Sequence, residues 1–446
     1  MRKIVFFIGL ILGFSIVQAQ TLSLKDCRDL ALKNNANLAA SDYKIDQANH
    51  TERQYYANYL PNFKLMGGAW YNNFSKSANI NLAEYPVVQA LGTMFPDLMN
   101  LIQPIDLSFK TGLSYTAGLM LQQPIYMGGK ITSAHNMAKL GQDVAKQQKA
   151  LTIQEVLVQT DEAYVLAVKA KEMQKVAKQY NTMLQELLRQ VESLKKHGMA
   201  AQNDLLRVQV KLNESELQLR KAENSIRLTK MNLCHAMGMN LTSDIDVKDE
   251  YPEEIEVDMK FSGIENRPEY IMLQKQVEVA NEQIKLNRSD YLPNVALILD
   301  YGYTNAFRFN HSSVFDDFSF NGLVTVSVPL FHFGEGSHKV KAAKAQKAVV
   351  EMQQRDLNDK MELELAQAAN NLDEAKLEVE VAQRSLSQAD ENLRITNNQY
   401  KNGMSTLTEV LEAQTLWQQA YESHTEAKFQ AYLMQSKYLK AAGLLK

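Results

Sequence analysis

The sequence predicts an internally duplicated α+β membrane fold, in which long coiled-coil helices are joined to four long β-strands per chain. Three observations carry this. The same motifs recur in the same order in two halves of the chain. Strand-like segments alternate with period two. The longest proline-free stretches keep a seven-residue apolar repeat. The 446 residues carry a formal net charge of −3 with the charges scattered, so no basic footprint for nucleic acid is present.

In chain order, residues 1–19 come first. Arg2 and Lys3 form a positive start, Ile4 to Val17 an apolar stretch, and Val17-Gln18-Ala19 a small-residue cleavage site. This reads as a secretory signal peptide, with Gln20 the first mature residue. The apolar run is too short for a transmembrane anchor, and no other run of about 18 apolar residues follows. Cys27 and Cys234 are the two cysteines. In an exported chain they either pair or remain as buried thiols.

The duplication defines a first repeat at 20–238, a linker at 239–265 and a second repeat at 266–446. Tyr-Leu-Pro-Asn at 59–62 returns at 291–294, Pro124-Ile125-Tyr126 as Pro329-Leu330-Phe331, and Gly198-Met199 as Gly403-Met404. Asp204-Leu205-Leu206 returns as Glu409-Val410-Leu411, and Gly238 as Gly443. In the first copy a helix is expected over 24–58 with a break at Asn34-Asn35. Strands at 62–74 and 107–123 and a helical hairpin at 129–238 follow it. The second copy repeats this as a helix at 267–290, strands at 294–307 and 318–329, and a hairpin at 334–443. Between the strands, Pro86, Pro96 and Pro104 with apolar patches suggest an ordered cap over 75–106, while 308–317 reads as a short polar turn.

The strands are apolar on one face and small or polar on the other. Leu107, Phe109, Leu113, Tyr115, Leu119 and Leu121 share one parity, and Phe318, Phe320, Val324, Val326 and Val328 do the same in the second copy. This alternation suits a lipid-facing barrel and equally a half-buried sheet in a soluble sandwich.

The long helices are heptad. Leu365, Leu372, Val379, Leu386, Leu393 and Tyr400 lie seven apart, flanked by Ala368, Ala375, Ala382 and Ala389. Such a repeat imposes a left-handed supercoil. Each proline-free stretch is on the order of 100 Å if wholly helical. The helices alone fit a plain coiled-coil stalk. With the strands, they argue for a spanning sheet that must close to satisfy its backbone. Four strands are too few, so the chain must oligomerise. Two copies would give a filled barrel and three a twelve-stranded pore.

The helix reversals close each copy. Gly198 and Gly403 suit left-handed helix ends, and Thr406 with Glu409 has capping-box spacing. Glu409 and Glu412 are three apart on one helix face. Acids in a first turn complement the helix dipole and often do nothing more. The histidines show no metal spacing, Gly128-Gly129-Lys130 lacks the rest of a phosphate loop, and no nucleophile–base pair is evident, so neither an enzyme nor a cofactor is expected.

Over essentially the whole mature chain, the sequence resembles the TolC-like outer-membrane efflux family. The resemblance rests on three things together: the duplicated Tyr-Leu-Pro-Asn, the Pro-apolar-aromatic lead into each long helix (Pro124 to Gly128, Pro329 to Gly334), and the reversal Tyr400-x-x-Gly403 leading to Glu409-Val410-Leu411. It implies a homotrimer with a twelve-stranded β-barrel in the outer membrane and an α-helical barrel in the periplasm. The implied partners are outer-membrane lipid, a periplasmic membrane-fusion adaptor and an inner-membrane pump of RND or ABC type. Glu409 and Glu412 match the acidic ring of the periplasmic constriction. Tyr400 and Asp204 match residues that tie the hairpins together when closed. Gly198, Met199, Gly403 and Met404 match the tips that meet the adaptor. Ser405 stands where a basic residue would help the lock. The expected function is a passive exit duct for efflux or type I secretion; the alternative is a soluble periplasmic coiled-coil adaptor without a pore.

Overall fold

The computed structural model describes residues 20–248, 263–305, 307–310, 312–314 and 316–445. The signal-peptide reading of 1–19, and 249–262 of the linker, lie outside them. Strand β1 (Gln20–Leu22) leads into helices α1 (Leu24–Asn34) and α2 (Ala36–Ala57). Ser23 and Asp26 cap α1 reciprocally. The expected break is real and has a cause: Asn35 leaves the helix, and its Oδ1 accepts the Asn37 N–H at 2.8 Å to start α2.

Strands β2 (Asn62–Tyr71) and β3 (Ser75–Ile80) come next. A 3-10 turn (Leu82–Glu84), helices α3 (Pro86–Met94) and α4 (Pro96–Met99), and strands β4 (Ile105–Lys110) and β5 (Leu113–Met127) follow. Helices α5 (Lys130–Lys196) and α6 (Gln202–Ala236) form the first long pair, and β6 (Ile245–Val247) pairs in parallel with β1. The second copy runs α7 (Pro268–Ser289), β7 (Asn294–Asn305), β8 (Phe307–Phe309), β9 (Ser312–Val314), β10 (Asp317–Ser327), α8 (Glu335–Lys401) and α9 (Leu407–Ala441). Among the described residues no helix is long and apolar enough to cross a membrane.

Two local differences from the sequence reading stand out. The strand expected over 107–123 is divided, because Thr111 and Gly112 are tied to 72–74. The Thr111 N–H donates to Phe74 O at 2.9 Å, and the Asn72 N–H to Gly112 O at 3.1 Å. Thus β4 leaves for a second sheet, ordered β3-β4-β8-β9, in which the expected polar turn at 308–317 is itself a short hairpin. Strand β5, in turn, continues past Pro124 to Met127. The register shifts between Pro124 and Tyr126, which accommodates the missing N–H at a bulge.

The chain divides into two compact units, and each contains parts of both copies. The unit built from 47–142 and 276–351 holds the two sheets. Its main sheet is antiparallel, ordered β10-β7-β5-β2. The register carries the alternation across all four strands. Leu65 faces Leu119, Leu119 faces Tyr301, and Tyr301 faces Phe320, all on one side. These apolar side chains are exposed. The opposite side has Lys64, Met120, Asp300 and Asn321 in one row. There Asn321 Nδ2 donates to Asp300 at 2.8 Å, and Thr116 and Thr304 are hydrogen-bonded at 3.1 Å. Gly118 and Gly302 face each other across β5 and β7. A Cβ on either would sit within 2.8 Å of the other's Cα, so only glycine permits this approach.

The other unit comprises 1–46, 143–275 and 352–446 and is helical apart from β1 and β6. The heptad seams are its core: Leu372, Ala375, Ala382, Leu386, Ala389 and Leu393 of α8 are buried. Asp161, itself buried, receives two bonds of 2.6 Å from the Arg28 guanidinium and one of 2.7 Å from Ser436, which joins α1, α5 and α9. Such a bidentate pair compensates a carboxylate held away from water. Cys27 and Cys234 are buried free thiols within one apolar cluster, and burial pushes the Cys27 thiol up to about 12.

Candidate functional site

The helix reversals between α5 and α6 and between α8 and α9 bring most of the candidate residues into one region of the helical unit. Gly198 has φ +71° and Gly403 φ +73°, the left-handed conformation that lets a helix stop. Met199 and Met404 beside them are 68% and 75% exposed, so each tip ends in a free apolar side chain.

Beneath the tips lies a shared core. Leu187 and Val191 of α5, Val208 of α6, and Leu407 and Val410 of α9 are buried together, with Tyr400 packed against them. Burial, and secondarily the charge of Asp204, raises the Tyr400 phenol above its ordinary value. Asp204 is therefore close enough for its charge to act on Tyr400. Its own hydrogen bond, however, is to the Ala201 N–H at 3.2 Å, where it caps α6. Among the described residues Tyr400 and Asp204 share no hydrogen bond.

Glu409 performs the capping role its spacing implies. The Thr406 N–H donates to Glu409 Oε2 at 2.8 Å, and the Glu409 N–H donates to Thr406 Oγ1 at 3.3 Å. Ser405 adds a third bond, donating to the same carboxylate at 2.5 Å. Chiefly through the Ser405 bond, and then the Thr406 backbone, the Glu409 carboxyl is held below its ordinary value. Glu412 is exposed one turn on and makes no hydrogen bond or ion pair among the described residues. Both acids line an open groove with Arg207, Lys211, Met404 and Thr408.

Sequence reasoning passed over two polar links here. Arg207 Nη1 donates to Thr408 Oγ1 at 3.2 Å, from α6 to α9. Trp417 Nε1 donates to Asp390 at 2.5 Å, from α9 to α8. The signal for the first was present in the duplication, since Arg207 stands in the first copy where Glu412 stands in the second.

A family model described as outer membrane efflux protein matches residues 27–239 and 263–442. The chain is 22% identical over 441 residues to the proteases secretion protein PrtF of Dickeya chrysanthemi, which covers 96% of this chain and 90% of that one. It is 23% identical over 347 residues to the alkaline protease secretion protein AprF of Pseudomonas aeruginosa, covering 74% of this chain and 70% of that one. Among solved structures it is similar in fold to the Campylobacter jejuni CmeC outer membrane channel. The TM-score is 0.76 at 18% identity, with 95% of this chain and 86% of that one covered.

Proposed function

Because the chain belongs to the outer membrane efflux protein family, we propose that three copies form the gated exit duct of a tripartite efflux or type I secretion system. Membership of that family places the protein in the outer membrane, sets aside the soluble adaptor, and gives it the fold of a channel rather than of an enzyme.

The observation that carries the assembly is the main sheet. One side is apolar and exposed in register across four strands, and among the described residues its outer strands β2 and β10 each have one neighbour. Two open edges cannot stay unpaired in lipid, where each unsatisfied backbone group costs several kcal/mol. Pairing β2 of one copy with β10 of the next closes the sheet. Three copies make twelve strands with the Asp300 and Thr304 side inward, wide enough for a pore where eight would be filled by side chains.

The gate is assigned to the reversals. Threefold symmetry gathers Glu409 and Glu412 of each copy around one axis, a ring that attracts cations. Tyr400 of α8, packed into the shared core with the Asp204 charge acting on it, contributes non-directional contact between the hairpins in the closed state. Gly198, Met199, Gly403 and Met404 form the docking tips for a periplasmic membrane-fusion adaptor, which the exposed methionines suit. The conduit is passive, and an RND or ABC pump of the inner membrane supplies energy. Adaptor binding opens the duct by favouring the separated reversals. The protease-secretion relatives support the secretion arm of this reading.

The experiment is conductance of the purified protein in planar bilayers. Wild type forms cation-preferring channels, and the double variant Glu409→Gln/Glu412→Gln loses cation preference and conducts more. Unchanged selectivity and conductance in the variant would leave the two acids as helix caps.

A further inference from the structure

Arg207 lies in the groove that holds both acids, yet its only polar partner among the described residues is a hydroxyl on the other hairpin. The duplication aligns Asp204-Leu205-Leu206-Arg207 with Glu409-Val410-Leu411-Glu412. The two copies therefore differ in charge at one position: a guanidinium on α6 and a carboxylate on α9. The other cation of the groove, Lys211, is engaged with Glu214 of its own helix at 2.8 Å. Arg207 has no ion pair among the described residues. Glu409 is committed to its cap through Ser405 and Thr406. Thr408 follows the capping residue by two positions and takes no part in the cap, so its hydroxyl is available as an acceptor.

We infer that Arg207 and Thr408 form the latch that holds the two reversals together. Among the described residues this is the bond nearest the tips that runs between α6 and α9. The next such link, Gln418 Nε2 to Gln218 Oε1 at 3.0 Å, lies about ten residues further along both helices, roughly 15 Å by helical rise. Below it the shared core of Val208, Leu407 and Val410 is apolar and non-directional. The guanidinium supplies the directional contact, and separating the reversals must break it. Arg207 also brings one positive charge per copy into a groove with two carboxylates. It thereby lowers the net charge that the acids would otherwise present. Arg207 is thus a positioning residue for the gate with a second effect on selectivity, and this assignment rests on the gate reading above.

The test uses the full-length assembled protein in planar bilayers, with assembly checked by the trimer band in mild detergent. Losing one solvent-exposed hydrogen bond of ordinary net strength shifts the closed-to-open ratio about five- to ten-fold. Arg207→Ala and Thr408→Val are therefore each expected to raise open probability by about that factor. Thr408→Ser, which restores the hydroxyl, returns it to the wild-type value. Arg207→Ala also increases cation preference, whereas Thr408→Val leaves preference unchanged because no charge is lost. If Arg207→Ala and Thr408→Val gate as wild type while the double Gln variant changes, the acids form the gate and the latch is wrong. If Arg207→Ala alters gating but Thr408→Val does not, the arginine acts through charge alone and the latch is again wrong. If the double Gln variant is unchanged as well, the gate reading itself fails and takes the latch with it.

Discussion

At the first reversal the Gly198 N–H donates to Lys195 O at 2.9 Å and the Met199 N–H to Leu194 O at 2.8 Å. At the second the Gly403 N–H donates to Tyr400 O at 3.0 Å and the Met404 N–H to Gln399 O at 2.8 Å. Both are the same helix-ending motif, with the same pair of bonds closing the last turn. The next helices begin differently. At α9, Thr406 and Glu409 cap each other, and Ser405 adds a bond to the acid. At α6, Ala201 has no side chain that can accept a bond, and only the Asp204 half of the box is made. One turn on, the first helix carries Arg207 and the second Glu412. The comparison shows that duplication preserved the backbone device and let the side chains diverge. The second tip is tightly capped and acidic. The first has a weaker cap and carries the cation.

Four experiments test this contrast, each read by hydrogen exchange of the tip amides at 195–206 and 400–412. The largest effect should come from the core that both tips share. Leu187 is buried at 3% exposure, and Leu187→Ala should cost about 2–5 kcal/mol. It should loosen both tips. Loss of protection at only one would show that the core is not shared. Next are the glycines. A Cβ at either Gly198 or Gly403 would meet nothing within 4 Å. Alanine there carries only the left-handed backbone cost of about 1–2 kcal/mol. The two substitutions should be equal, and a clear inequality would mean the backbone device is not the same.

The caps should separate the tips. Thr406→Ala should weaken the start of α9 by about 1 kcal/mol. Ala201→Thr should strengthen α6 by a similar amount, because Ala201 already has the extended backbone of a capping residue at φ −76°, ψ 154°. The smallest effect is that of pH. The Glu409 carboxyl is lowered from its ordinary value of 4.5. Its contribution to the second cap is therefore complete above that pH and is lost as pH falls through the lower folded value. Ser405→Ala removes the leading cause of the shift. It should move the loss toward pH 4.5, and an unmoved profile would show that Ser405 is not the cause.

Much of this was legible along the chain. The heptads placed the long helices to within a residue or two, because a stripe every seven residues marks one buried face over many turns. The reversal and its cap were readable from Gly403, Thr406 and Glu409, since each acts through neighbours three to five residues away. The apolar side of the main sheet was readable from parity alone. Less legible were the division of the strand at Thr111, the short hairpin at Phe307–Phe309 and Ser312–Val314, and the glycine contact of Gly118 with Gly302. Each depends on a partner strand. The hydroxyl of Thr111 lies 2.9 Å from Asn72 O across 39 residues of sequence, and no local pattern signals that. The family resemblance pairs Tyr400 with Asp204, whereas the carboxylate makes its hydrogen bond on its own helix.

The duplication, the helical and strand periods, the two glycine turns and the capping box are all legible in the chain alone. All of these are written in spacings of a few residues or in recurrence of a motif. Which polar side chains of the two copies meet depends instead on how the helices pack. Arg207 reaches Thr408 across 201 residues of chain because the heptad seams bring α6 and α9 onto one core. Which side chain then finds which partner is set by the packing of those helices, a property of the pair that neither helix carries alone.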